Sequence, residues 1–97
     1  NYHIPRKFYL EQNYPNPFNP ITKLKYVLPK DSFVDIKVYD ILGNIIKNLV
    51  HNLKKSGSHS IIWDGTNNQG KSVSAGIYLY RIHTGNFTQT KKMILLK

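Results

Sequence analysis

A chain of 97 residues, 40% hydrophobic and 20% charged, has the makeup of one folded domain and not of a disordered tail. A domain of this size buries roughly 60–70% of its unfolded surface, enough to fold alone. It has no cysteine, which excludes a disulfide framework, a thiolate zinc site and a cysteine nucleophile. The formal net charge of +9 admits an anionic partner. The lysines, however, are spread along the chain and alternate with apolar residues, as in Lys23, Leu24, Lys25, Tyr26. That is the pattern of a solvated sheet face, with anionic glycolipid or polysaccharide the next reading, and no nucleic-acid partner is expected.

Residues Asn1 to Lys7 read as linker, and the domain is taken to run from 10 to 97, with 1–9 as linker or cleaved end. Phe8 to Leu10 suits a short first strand. The stretch Asn13 to Pro20, NYPNPFNP, carries three prolines in eight residues, which forbids a helix or a central strand. Tyr14 and Phe18 are expected to plug one end of the core.

Ile21 to Leu28 alternates, with Leu24, Tyr26 and Leu28 on one face and Lys23, Lys25 and Val27 on the other. Phe33 to Asp40 alternates likewise, with Val34, Ile36 and Val38 inward. The two are expected to be antiparallel neighbours. Residues 45–53 are ambiguous, because Leu42, Ile45, Ile46, Leu49, Val50 and Leu53 fit a helical stripe as well as a strand. The Gly43-flanked turn signal and the β-branched pair Ile45-Ile46 favour a strand from Ile45 to Val50, followed by a loop from His51 to Ser58.

Ile61 to Ile82 reads as strand, tight loop, strand: a core hairpin around Trp63, the only tryptophan. Ile61 and Trp63 share a face, as do Tyr78, Tyr80 and Ile82. Gly76 stands where a missing Cβ would let another segment approach. Phe87 to Lys97 begins polar and alternating and ends in the run Met93-Ile94-Leu95-Leu96, as a strand buried at its far end would. The total, about seven short strands separated by turns, predicts an all-β sandwich.

No reactive constellation stands out. The four histidines lack metal spacing, although His59 and His83 would make a zinc pair if their strands were adjacent. Ser58, His59 and Asp64 have the residue types of a hydrolytic triad without a nucleophile elbow. Asp64, Thr66 and Asn68 alternate like calcium-loop ligands, but the glycine falls late and no glutamate closes the loop. The expectation is a non-enzyme with no catalytic residue, metal or cofactor. No apolar run approaches the ~20 residues that span a bilayer. Without an initiator Met or a leader, Asn1 reads as a cut end and the chain as a piece of a longer polypeptide.

Taken in order, NYPNPFNP, TKLKYVLP, VDIKVYDILGNIIKNLV, GSHSIIWDGTNNQGKSVSAGIYLYRI and the closing KKMILLK resemble the type A C-terminal sorting domain of the type IX secretion system, over Leu10 to Lys97. That sandwich is similar to the Ig-like domain of flagellar hook-capping proteins. The resemblance implies an Ig-like antiparallel β-sandwich at the end of an exported protein of Bacteroidetes-like bacteria. It would direct an N-terminal cargo domain through the periplasm and across the outer membrane to the cell surface. The implied partners are the type IX translocon and its shuttle proteins. In many relatives a sortase then removes the domain and joins the cargo to an anionic lipopolysaccharide. A final strand with open backbone can add to another sheet edge. The expected recognition face is therefore Phe87 to Lys97 with Gly76, Ile77 and Tyr78 beside it. Within it Lys91 and Lys92 supply charge, and Met93, Ile94, Leu95, Leu96 and Lys97 form the tail. Edge protection against aggregation explains the two lysines equally well. A monomer is expected. Two other functions fit such a domain: an accessory Ig-like module that contacts carbohydrate, with Tyr9 or Tyr39 stacking on sugar, or a neighbouring domain; and an assembly role like that of the hook-capping relatives.

Overall fold

The computed structural model describes residues 7–97, so the reading of Asn1 to Arg6 as linker lies outside the described residues. Seven strands follow in order: β1 Tyr9–Leu10, β2 Thr22–Leu28, β3 Ser32–Tyr39, β4 Ile45–Lys54, β5 Gly57–Trp63, β6 Gly76–Thr84 and β7 Phe87–Leu95. They form two antiparallel sheets, β1-β2-β5 and β4-β3-β6-β7. The predicted all-β, Ig-like sandwich is what the chain adopts. Among the described residues no helix is long and apolar enough to cross a membrane.

Alternation sets the inner faces. Leu24, Tyr26 and Leu28 of β2 meet Val34, Ile36 and Val38 of β3 and Tyr78, Tyr80 and Ile82 of β6 in one buried cluster. Trp63 is fully buried there. Its ring lies 5.7 Å from that of Phe18 and 5.3 Å from that of Tyr78, and its Nε1 donates to the Thr66 carbonyl at 2.9 Å.

Pairing departs from the sequence expectation at three places. First, β2 and β3 are not neighbours: they lie in opposite sheets, and Pro29 to Asp31 carries the chain across. Second, Ile61 to Ile82 is not a hairpin, because β5 and β6 also belong to different sheets. A short polar connection suits a crossing between layers as well as a turn within one, so local sequence does not separate the two. Third, β4 runs on to Lys54, through the segment expected to be a loop.

The helical look of β4 has a physical source. Its register against β3 shifts twice, between Ile36 and Lys37 and between Val38 and Tyr39. Leu49 and Ile46 are the residues passed over, and both pack against the core. Each bulge resets the inward parity. Two bulges in a row turn a period of two into a pattern resembling 3.6.

Two side-chain placements also differ. Phe18 is buried as expected, but Tyr14 is 81% exposed and plugs nothing. Gly76 has φ +147, with nothing within 4 Å of where a Cβ would stand, so its glycine serves the backbone angle and not a close approach. The close approach is at Gly65, where an added Cβ would lie 3.4 Å from the Pro20 carbonyl oxygen.

Candidate functional site

β7 is an edge strand of the four-stranded sheet. Its register with β6 sets Gly76 opposite Leu95, Ile77 opposite Ile94 and Tyr78 opposite Met93. The predicted recognition residues are therefore together in space. Their side chains are not equally available. Tyr78, Met93 and Leu95 are buried in the core. Ile77, Lys92, Ile94, Leu96 and Lys97 are exposed, and Lys91 is half-buried. Lys91 shares the parity of Met93 and Leu95, while Lys92 shares that of Ile94, so the two charges point to opposite faces of the strand. The exposed part of the face is thus the pair Ile77–Ile94 with Lys92 in the next row, opposite the half-buried Leu79.

The backbone of this edge is open over only part of its length. Ile94 N–H donates to Asn16 Oδ1 at 3.0 Å, and the Ile94 carbonyl accepts from Phe18 N at 2.9 Å. Leu96 N–H donates to the Phe18 carbonyl at 2.8 Å. One step back, Gln12 Nε2 donates to the Lys92 carbonyl at 2.8 Å. The proline segment therefore runs along the end of β7 as a short parallel partner. Alternation from Ile94 turns the backbone groups of Thr90 and Thr88 toward the same edge, where they have no backbone partner among the described residues. Gln12, Asn16 and Phe18 were not among the predicted site residues. The signal for them lay in the segment itself, since a chain that cannot enter a sheet still has carbonyls and Asn side chains to satisfy.

A buried hydroxyl holds the other end of the segment. Tyr80 Oη accepts from Asn13 N at 2.7 Å and donates to the Glu11 carbonyl at 2.8 Å. Burial pushes the Tyr80 phenol up to about 12. Asn13, itself buried, donates from Nδ2 to Pro15 O and Thr22 Oγ1. Lys97 Nζ donates to the Val73 carbonyl and so ties the tail to the 64–75 loop.

The other constellations resolve as follows. His59 and His83 lie in different sheets, so they make no metal pair. Among the described residues no three His, Asp or Glu side chains are grouped to hold a metal. Asp64 Oδ1 accepts from Thr66 N and Oγ1, which holds its carboxyl below the usual range, the hydroxyl contributing most. Asn68 Oδ1 accepts from Asn48 N. The residues that alternate like calcium ligands thus shape their own loop and tie it to β4.

No curated protein sequence matches the chain. Among solved structures, a domain of dimeric latent PorU from Porphyromonas gingivalis superposes with a TM-score of 0.73 at 21% identity, over 94% of this chain and 10% of PorU. PorZ, described as an essential bacterial surface component of the type IX secretion system of the same organism, gives 0.61 at 16% identity, over 93% of this chain and 11% of PorZ. FlgD from P. aeruginosa gives 0.60 at 27% identity, over 76% of this chain and 58% of that protein. The chain spans about a tenth of the length of the first and somewhat over half that of the last. At these identities PorU and PorZ share the fold. The sequence relationship is carried by the model of the FlgD Ig-like domain, which matches residues 21–86, from the start of β2 through the β6–β7 turn; this chain belongs to that family.

Proposed function

We propose that the domain is a non-catalytic C-terminal export signal, which directs an attached cargo through the type IX system to the cell surface. One observation carries the reading. The FlgD family match stops short of the proline segment and of β7, yet the superpositions on PorU and PorZ take in 94% and 93% of the chain, too large a share to omit either. Those two parts bind each other along the sheet edge. Superpositions on two FlgD structures reach only 76% and 81% of the chain, so the additional share matched by PorU and PorZ supports the reading.

The surface that would be read is the open edge at Thr88 and Thr90 together with Ile77, Lys92 and Ile94. Deleting Met93 to Lys97 is a poor test, because it removes two core side chains along with the tail. Thr90→Pro removes an edge N–H that points away from β6, and Ile94→Asp places a charge on the exposed row. In a type IX host, a reporter fused to the domain should lose export with either variant while the purified domain keeps its sheet signal. Undiminished export with both would defeat the proposal.

FlgD membership supports a second reading, an assembly role of the hook-capping kind. Copurification with filament subunits, or self-association on a sizing column, without export activity would favour it.

A further inference from the structure

The outer face of the three-stranded sheet carries a fixed and exposed aromatic ring. Tyr14 is 81% exposed, yet its backbone is pinned in both directions: its N–H donates to the Lys23 carbonyl at 3.0 Å and its carbonyl accepts from Lys23 N at 2.9 Å. An apolar ring held out in water by a fixed main chain has no role in the core. Around it, Glu11, Gln12, Lys23 and Lys25 line a depression of about 220 Å³. Glu11 and Lys25 also line a second depression of about 310 Å³, whose far side is Ser58 and Ser60 of β5. Glu11 is fixed by its own N–H, which donates to the Lys25 carbonyl at 2.9 Å.

We infer that these two depressions form a binding site for a saccharide chain bearing carboxylate groups, with Tyr14 as the stacking platform. A sugar ring presents an apolar C–H face and a rim of hydroxyls, and it is held by one aromatic face and a few fixed polar groups. Tyr14 supplies the first, and Glu11, Gln12, Ser58 and Ser60 supply hydroxyl partners. Two adjoining hollows sharing a Glu11–Lys25 ridge suit two successive sugar units. The charge selects the class. Lys23 and Lys25 project from the same face of β2, and the ion pairs among the described residues lie elsewhere, on Asp31 and Asp35. One carboxylate against two ammonium groups favours an acidic sugar over a neutral one. The aromatics singled out from sequence serve less well. Tyr39 faces the Arg81 guanidinium 5.0 Å from its ring centre, and Tyr9 lies outside both hollows. The site stands whether or not the domain is an export signal.

The test titrates the 97-residue chain with polygalacturonate and, in parallel, with neutral dextran, following amide shifts by NMR. Polygalacturonate should shift the amides of Glu11, Tyr14, Lys25 and Ser60, and dextran should bind at least tenfold more weakly. Tyr14→Ala, a change at an exposed ring that leaves the fold intact, should weaken binding roughly tenfold. Lys23→Gln/Lys25→Gln should weaken it further. Lys30→Gln/Lys71→Gln removes the same charge from outside the two depressions and should leave affinity unchanged. Equal loss in the two double variants would mean that net charge alone is sensed, and would overturn the proposal. So would full affinity in Tyr14→Ala, or dextran bound as tightly as the polyuronate.

Discussion

At the β7 edge of the four-stranded sheet, Phe18 N–H donates to the Ile94 carbonyl, and Asn16 Oδ1 accepts from Ile94 N. At the β4 edge, Asn68 N–H donates to the Ile46 carbonyl, and Asn68 Oδ1 accepts from Asn48 N. The same device closes both: a backbone N–H for the strand's carbonyl, and an asparagine oxygen for its amide. What anchors the device differs. Phe18 is 1% exposed and packs on Trp63, so the β7 closure is tied down by apolar burial. The β4 closure itself is held by polar contacts, Lys47 Nζ to Thr66 Oγ1 and to the Asn67 carbonyl. An edge guarded by core burial opens only when part of the core does, whereas one guarded by hydrogen bonds opens locally.

Trp63 is the point where the two closures meet, since Phe18 packs against it with the rings tilted and Thr66 accepts from its Nε1. Trp63→Ala should therefore erase the difference between the edges. It is expected to cost roughly 3–5 kcal/mol in urea unfolding, with amide protection lost together at Ile94 and Asn48. Trp63→Phe sharpens the contrast, because it keeps an aromatic beside Phe18 and removes only the bond to Thr66. Protection should then fall at Asn48 and hold at Ile94.

Phe18→Ala acts on one edge. It should cost roughly 3 kcal/mol, and it should speed exchange at Ile94 and Leu96 without changing Asn48. Freed backbone at the end of β7 also extends the stretch open to strand addition, so the variant should associate at high concentration where the parent does not. Equal acceleration at Asn48 would show that the closures are not independent.

The two closures should fail at opposite ends of the pH scale. Tyr80 secures the start of the proline segment, and burial raises its folded value to about 12 against roughly 10 unfolded. A group raised on folding contributes stability that is complete below the unfolded value and is lost as pH climbs through the folded one. Protection at the β7 end should thus decline between about pH 10 and 12, and Tyr80→Phe should abolish that dependence. Asp64 shapes the β4 closure through Thr66, and its value is lowered. Its contribution is complete above the ordinary carboxylate range and is lost as pH falls through the depressed folded value. Exchange at Asn48 should rise in acid, and Asp64→Asn should flatten that limb.

Much of this could be read from the amino acids, and what could not has a common cause. Leu24, Tyr26 and Leu28, or Val34, Ile36 and Val38, declare their inner face because a strand's side chains alternate regardless of what it pairs with. Pairing partners are another matter. Pro29 to Asp31 and the 64–75 loop look like turns, and each instead crosses between sheets, because a turn's chemistry fixes a change of direction and not the layer in which the chain resumes. In the proline segment there is no period to read at all, so nothing local distinguished buried Phe18 from exposed Tyr14. The Gly76–Leu95 register brings the predicted recognition residues together, but the opposed directions of Lys91 and Lys92 follow from alternation and need no structure to be seen.

The smallest expected effect separates the shared device from its anchors. Asn16→Ala and Asn68→Ala each delete one side-chain oxygen that accepts an edge amide, at exposed positions where water can replace it. Each should cost about 1 kcal/mol or less. Exchange should quicken at Ile94 in the first and at Asn48 in the second, and the two costs should be alike if the asparagines do the same job. Asn68 carries both halves of its closure, because its own N–H also meets Ile46, whereas Phe18 carries the backbone half beside Asn16. Opening at β4 should therefore spread to the neighbouring contact of the Lys47 ammonium with the Thr66 hydroxyl, while opening at β7 stays confined to Ile94 under the buried phenyl ring. A spread of the Asn16→Ala effect to Leu96 would mean that the ring does not hold the segment, and that the hydrogen bonds rather than the core set the strength of both edges.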